Sequence, residues 1–161
     1  IEGREVPDYA RLVARAGLLL RKTSPGRAWA GLFDGGTAGD PARRWRDGRG
    51  GDARDARGLA IPELVAWGSP AFDAGLDQGD VIVRAGSARI GTVEDWNAAV
   101  RERRPGERLT VEFLRHGVPQ RTDILLREDP AIEIVTLEST GVDPAPAQRA
   151  FRQAWLAPRR K

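Results

Sequence analysis

The stretch that decides the fold reads Gly68-Ser69-Pro70-Ala71-Phe72-Asp73-Ala74-Gly75-Leu76-Asp77-Gln78-Gly79-Asp80-Val81-Ile82-Val83. Ser69 is a residue type that caps helix N-termini, and Pro70 suits the first helical position, where its missing N–H is not needed. Gly75 stands where a left-handed residue commonly ends a helix. Gly79 and Asp80 then predict a turn into the apolar strand that follows. The stretch therefore predicts a one-turn helix, a tight corner and a buried strand.

The residues after this stretch predict a second helix, over residues 93–103. Thr92 and Asp95 have the spacing of a capping box, in which a hydroxyl and an acid three residues later each bond the backbone of the other. Apolar residues then follow at helical spacing at Val93, Trp96 and Val100. Trp96 is predicted to pack in the core.

A β-hairpin is predicted beyond that helix. Leu109, Val111 and Phe113 alternate with polar residues, as do residues 122, 124 and 126 on the returning strand. His116 and Gly117 between them are predicted to form the tight turn, because both residue types tolerate unusual backbone angles.

Both flanks of this region predict further elements. Residues 7–16 favour a short helix, residues 18–20 a strand, and residues 132–136 another strand. A terminal helix carries Ala147, Phe151, Ala154 and Trp155 on one stripe, and Trp155 is predicted to pack in the core.

Composition limits the class of protein. The chain has 161 residues, 40% hydrophobic and 30% charged, enough for one domain of about 100 residues with extensions. A net charge of +3 is too small to imply nucleic-acid binding, and no apolar run reaches the roughly 18 residues that a membrane span needs. The chain begins at Ile1 without Met, so we expect a fragment of a longer protein, and its compartment is left open.

Residues 34–58 are rich in Gly, Asp and Arg and poor in apolar residues. Such a stretch buries too little surface to offset its ordering entropy, so a mobile insertion is predicted. It contains Arg43-Arg44-Trp45-Arg46, a basic and aromatic mix that nucleic-acid-binding segments use. Interleaved aspartates dilute that charge, and a solvated loop is the favoured interpretation.

The central region resembles the circularly permuted PDZ domains of bacteria. The residues that carry the resemblance are Ala30-Gly31-Leu32, Gly68-Ser69-Pro70-Ala71, Ala74-Gly75-Leu76, Gly79-Asp80 and Arg104-Pro105-Gly106-Glu107. The resemblance implies an α+β fold, a partly open β-barrel with two capping helices, to which an N-terminal and a C-terminal helix are added. The implied division is a lead-in over residues 1–28, a PDZ-like domain over 29–127, and a C-terminal strand and docking helix over 128–161.

The flanks resemble the C-terminal region of the glycyl aminopeptidase family, zinc metallopeptidases with a catalytic domain followed by a PDZ domain. The resemblance lies in Glu2-Gly3-Arg4-Glu5-Val6-Pro7-Asp8-Tyr9, in Ala16-Gly17-Leu18 and in residues 147–156. The family's His-Glu-x-x-His motif is absent, and His116 is the one histidine of the chain. A zinc site needs three or four converging ligands, so we expect no catalysis and no cofactor in this chain, with zinc bound only in an upstream catalytic domain.

The resemblance also implies a binding site for peptides or protein C-termini. An extended peptide would add as a strand to a sheet edge while backbone amides bind its terminal carboxylate. The residues implied are Trp29, Ala30, Gly31, Leu32 and Phe33 in the loop and strand edge, and Asn97 and Val100 on the helix. Gly31 would allow close approach of the carboxylate, and Leu32-Phe33 would begin the pairing edge.

One alternative interpretation remains open at this stage. The module would be a structural clamp, with Tyr9, Leu12, Phe151 and Trp155 packing against the upstream catalytic domain or against a second copy in a homo-oligomer. Nucleic-acid and membrane partners are not expected.

Overall fold

The computed structural model describes residues 8–33, 54–55 and 58–157, and at residues 54–55 it describes the backbone alone. The predicted mobile insertion therefore lies outside the described residues, except for residues 54–55 and Gly58, and so does its arginine-rich segment. In chain order the elements are α1 (Tyr9–Ala14), β1 (Leu18–Lys22), β2 (Ala28–Trp29), β3 (Arg54–Asp55), β4 (Gly58–Ala60), α2 (Pro70–Asp73), β5 (Val81–Ala85), β6 (Ala88–Arg89), α3 (Val93–Arg101), β7 (Arg108–Arg115), β8 (Val118–Leu125), β9 (Arg127–Glu128), β10 (Ile132–Thr136) and α4 (Pro146–Leu156).

The chain divides into two compact units. The central unit is Pro25–Asp129, and the flanking unit combines Ile1–Ser24 with Pro130–Lys161. The two ends of the chain thus fall in one unit, because β1 and β10 pair antiparallel.

The central unit is built on an antiparallel sheet in the order β3-β4-β5-β7-β8, with β6 paired to β5 and with β2 and β9 forming a separate pair. Leu109, Val111 and Phe113 on β7 are almost fully buried, as the alternation in the sequence predicts. The predicted PDZ-like α+β fold is confirmed, but the predicted partly open β-barrel is wrong, because the sheets are open and do not form a barrel.

The predicted one-turn helix is α2, and each predicted cap has its role. The Ser69 hydroxyl accepts a hydrogen bond from the Phe72 amide at 3.2 Å, and Pro70 occupies the first turn. Gly75 ends the turn with a φ of +79°. Ala71 is fully buried, which explains why a small residue is found there.

The corner at Asp80 is held by a buried ion pair with the next long strand. The Asp80 carboxylate accepts hydrogen bonds from Arg115 Nε at 2.8 Å and Nη2 at 2.7 Å, and from the Asp77 amide at 2.9 Å. Arg115 also donates to the Gly75 carbonyl at 2.7 Å. The hydrogen bond to Asp80 and the negative charges of Asp80 and Asp77 raise the pKa of the Arg115 guanidinium. The bonds from Arg115 hold the corner against β7.

The hairpin turn is as predicted. His116 and Gly117 have φ values of +51° and +80°, the left-handed pair that a two-residue turn between twisted strands requires.

The flanking unit contains α1, the β1–β10 ribbon and α4. The Gln148 side chain accepts from the Ala145 amide at 2.8 Å and donates to the Ala14 carbonyl at 2.8 Å, which joins α4 to α1. Arg152 forms an ion pair with Glu138. The prediction that Trp155 packs in the core is wrong, since 64% of it is exposed. Helical periodicity predicts that α4 has an apolar face, but it does not predict whether another part of the protein covers that face.

The Asp80 ion pair supports the first prediction. We expect Asp80→Asn to lower the free energy of unfolding by about 2 kcal/mol, because Arg115 loses a buried anionic acceptor. The control is Glu112→Gln, whose partner Arg84 lies 3.9 Å away with both side chains about half exposed. That change should cost less than about 0.5 kcal/mol. Urea titration followed by circular dichroism measures both, and equal costs would contradict the assigned role of Asp80.

Candidate functional site

A cleft of about 200 Å³ opens in the central unit between α3 and the segment that contains β2 and the residues after it. Its lining residues are Arg27, Ala28, Ala30, Leu32, Trp96, Asn97, Val100 and Arg101. The lining thus combines five apolar residues with one asparagine and two arginines.

The helix wall of the cleft is fixed at its N-terminus and along its buried face. The Thr92 hydroxyl accepts from the Asp95 amide at 3.1 Å, and the Asp95 carboxylate accepts from the Thr92 amide at 3.0 Å. Hydrogen bonds from the Gly91 and Thr92 backbone and the Thr92 side chain lower the pKa of the Asp95 carboxyl. Trp96 is 1% exposed and anchors the helix in the core. The predicted capping box and the predicted burial of Trp96 are confirmed.

The opposite wall continues into residues 30–33, which we call the cleft loop. The Ala30 carbonyl accepts from the Ala71 amide at 2.9 Å, which joins the loop to α2. Gly31 has a φ of +82°, and a Cβ built there would lie 2.4 Å from the Ser69 Cβ. Only glycine fits this contact, because carbon atoms do not approach so closely without displacing the backbone.

The end of the cleft loop is held by an aromatic contact. Phe33 has a φ of +52°, and its ring meets Trp96 edge-on with the ring centroids 6.0 Å apart. Edge-on pairs of this kind are favourable because the positive ring edge faces the negative ring face. The loop is thus held by α2 at one end and by α3 at the other.

Three successive amides of the cleft loop have no hydrogen-bond partner within the part of the chain that the structure describes: those of Gly31, Leu32 and Phe33. Successive backbone N–H groups in a turn conformation form concavities that bind anions. Whether these amides bind a carboxylate, as the sequence resemblance implies, stays a prediction.

The structure brings four of the seven predicted site residues into the cleft. Ala30, Leu32, Asn97 and Val100 line it together, while Trp29, Gly31 and Phe33 do not. Trp29 pairs with Arg127 in the β2–β9 ladder. The role of all seven predicted residues in peptide binding stays a prediction.

The expectation that Leu32 and Phe33 begin the edge that pairs with a peptide stays a prediction. Neither residue lies in a strand; Leu32 is 6% exposed, and the left-handed backbone of Phe33 interrupts an extended conformation. Arg27, Ala28, Trp96 and Arg101 also line the cleft and were not predicted. The one available signal was Arg101, four residues after Asn97 and therefore on the same helix face.

No group of three or more His, Cys, Asp or Glu side chains that could hold a metal ion occurs in the described ranges 8–33 and 58–157. Over the same residues, none of the helices combines the length and apolar character needed to span a bilayer.

Comparison with known proteins agrees with this geometry. Residues 49–126 match the family model of the PDZ domain, in agreement with the PDZ-like fold of the central unit. No curated protein matches the chain.

Among solved structures, the chain is similar to an aminopeptidase N family protein from Idiomarina loihiensis at 17% identity and a TM-score of 0.59. That match covers 98% of this chain and 24% of the other, so the chain spans about a quarter of the aminopeptidase-family protein, and the similarity shows a shared fold. The HtrA-type protease AlgW, solved with a decapeptide, matches at 24% identity over 66% of this chain and 30% of its own, with a TM-score of 0.46. A serine endoprotease from Yersinia pestis matches at 28% identity over 45% and 26% of the two chains, with a TM-score of 0.41.

The close contact at Gly31 supports the second prediction. Gly31→Ala should destabilise the protein by at least about 1 kcal/mol more than Gly68→Ala, because Gly68 also has a positive φ of +73° but nothing within 4 Å of an added Cβ. Both substitutions strain the backbone, but only the alanine at position 31 meets a neighbouring atom, so the difference between them measures the steric contact. Thermal and urea unfolding measure the difference, and equal costs would show that the loop moves away from Ser69 freely.

Proposed function

We propose that the PDZ domain of this chain binds the end of an extended peptide or protein C-terminus in the cleft. The terminal carboxylate is bound by the amides of the cleft loop, and the last side chain enters the cleft beside Val100. The residues before it extend along a sheet edge by β-strand addition. The observation that carries this proposal is the cleft itself, which Leu32 lines and which lies beside a loop whose Gly31 and Leu32 amides have no hydrogen-bond partner among the described residues.

The chemistry of the cleft supports this assignment. A volume of about 200 Å³ is sufficient for one aliphatic side chain and too small for a large cofactor. Ala28, Ala30 and Val100 are each at most 7% exposed, so they add a small, preformed apolar area to a lining whose exposed surface is mostly polar. A carboxylate bound by neutral amide donors gains charge-assisted hydrogen bonds without requiring a metal or a nucleophile.

We propose further that the module is a non-catalytic part of a zinc aminopeptidase whose catalytic domain, with its zinc, lies elsewhere in the longer protein. The support is the fold similarity to the aminopeptidase N family protein, which covers 98% of this chain and therefore includes both the central and the flanking unit. Binding a peptide end in this module would position a substrate or partner for the catalytic domain.

Peptide titration tests the proposal. Peptides with free C-termini should bind with micromolar affinity, and the same peptides with amidated C-termini should bind at least about tenfold more weakly, because the amide removes the charge that the loop binds. Fluorescence anisotropy with labelled peptides measures the difference. Equal binding of both forms would exclude the carboxylate mechanism, and no binding of either form would exclude peptide recognition.

A matched pair of variants locates the binding site. Asn97→Trp fills the cleft and should abolish binding. Ala98→Trp places the same side chain on the next residue of α3, which is exposed and does not line the cleft, so binding should persist.

The alternative function, a structural clamp, has support from the flanking unit. Ile132 and Ile134 are 59% and 60% exposed, Phe151 is 43% exposed, and Trp155 is 64% exposed. A two-stranded ribbon such as β1–β10 gains little stability alone, and exposed apolar faces of this kind commonly pack against a partner. The partner would be another part of the longer protein or a second copy.

Sedimentation equilibrium of this chain tests whether the partner of the clamp is a second copy of the chain. If the apolar face of β10 joins two copies, the chain should dimerise at micromolar concentration and Ile134→Lys should make it monomeric. Leu125→Lys on β8, where the leucine is 48% exposed in the central unit, should leave the dimer intact. A wild-type chain that remains monomeric at about 100 μM would reject self-association.

A further inference from the structure

Two arginines line the cleft, and neither is among the predicted peptide-binding residues. Arg27 and Arg101 contribute to it together with six uncharged residues. No carboxylate among the lining residues offsets their charge. The chain as a whole has nearly balanced charges, 26 basic and 23 acidic residues, so this local bias is not a consequence of an overall excess.

The two arginines differ in how their charge is used within the protein. Arg27 forms an ion pair with Asp129, which is 3% exposed, so much of its charge is compensated by a buried carboxylate. Arg101 donates from Nε to the Asn97 carbonyl at 3.1 Å. Its Nη atoms have no carboxylate partner within the described part of the chain.

The position of Arg101 in α3 explains why a basic residue is favourable there, but not why its side chain lines the cleft. It is the last residue of the helix, where a cation interacts favourably with the helix dipole. That interaction needs a charge near the helix end and does not require the side chain to line a cleft. The bond from Nε to Asn97 turns the guanidinium towards the residue that forms the polar wall of the cleft.

We propose that the cleft selects peptide ends that carry an acidic side chain in addition to the terminal carboxylate, and that Arg101 is the residue that determines this specificity. The proposal rests on the peptide binding proposed above. The amides of the cleft loop take the terminal carboxylate, which leaves Arg101 to bind a second one. A guanidinium suits this role because its planar fork matches the two oxygens of a carboxylate.

Peptides that differ in one side chain test the inference. Starting from a peptide that binds with a free C-terminus, Asp, Asn or Lys is placed in turn at each of the last three positions. We expect at least one position where Asp binds about fivefold more tightly than Asn, and Lys more weakly than both, as expected for an ion pair at a partly exposed site. The preference for Asp should shrink in about 0.5 M salt because the ions screen the pair.

Variants of the chain identify the residue responsible. Arg101→Gln should bring the ratio of the Asp and Asn dissociation constants close to one, and Arg101→Lys should restore part of it. The control is Arg121→Gln on β8, an exposed arginine that does not line the cleft and changes the net charge by the same amount. It should preserve the ratio.

The outcomes separate this inference from the proposed function. Equal affinity for Asp and Asn at all three positions would overturn acid selection while leaving peptide binding in place. A preference for Asp that survives in Arg101→Gln would overturn the role of Arg101. Failure of every peptide to bind would overturn the proposed function, and the inference with it.

Discussion

The close approach between the cleft loop and α2 is the constraint on which the rest of the central unit depends. The amide of Ala71 donates to the carbonyl of Ala30, and Gly31 passes so near Ser69 that a Cβ would lie 2.4 Å from its neighbour. The same Ser69 caps α2 through Phe72. One junction therefore sets the start of the helix, the path of the loop and the direction of the loop amides. A side chain at Gly31 would disturb all three.

The cleft combines two kinds of lining group that have different physical requirements for binding. Apolar lining from Ala28, Ala30 and Val100 favours burial of a side chain without directional demands. Amides and guanidinium groups are directional, and each needs a fixed position to contribute. The loop is held by α2 and by the ring contact of Phe33, whereas among the described residues the Arg101 side chain has one hydrogen bond, to the preceding helical turn. In the proposed binding mode, affinity for a chain end and preference for its charge would come from separate elements.

Sequence reasoning succeeded where local chemistry decides conformation. Ser69 and Pro70 predicted a helix start, Thr92 and Asp95 a capping box, and His116-Gly117 a turn with positive φ, because each depends on a few adjacent residues. It failed at Trp155, whose helical stripe predicted burial although 64% of the residue is exposed. Periodicity shows that a face is apolar; it contains no information about whether a partner covers that face.

The amino-acid sequence by itself determined the short helix and corner of residues 68–83, since caps and turns are encoded within a few positions. The α+β class and four of the cleft residues were implied by the resemblance of its motifs to PDZ domains. Only the tertiary structure decided that Arg27 and Arg101 meet Ala30 and Leu32 around one cleft. It also decided that the two ends of the chain form one unit. Both depend on contacts between residues about 70 to more than 100 positions apart, and the free energy of such contacts comes from packing that no local pattern records.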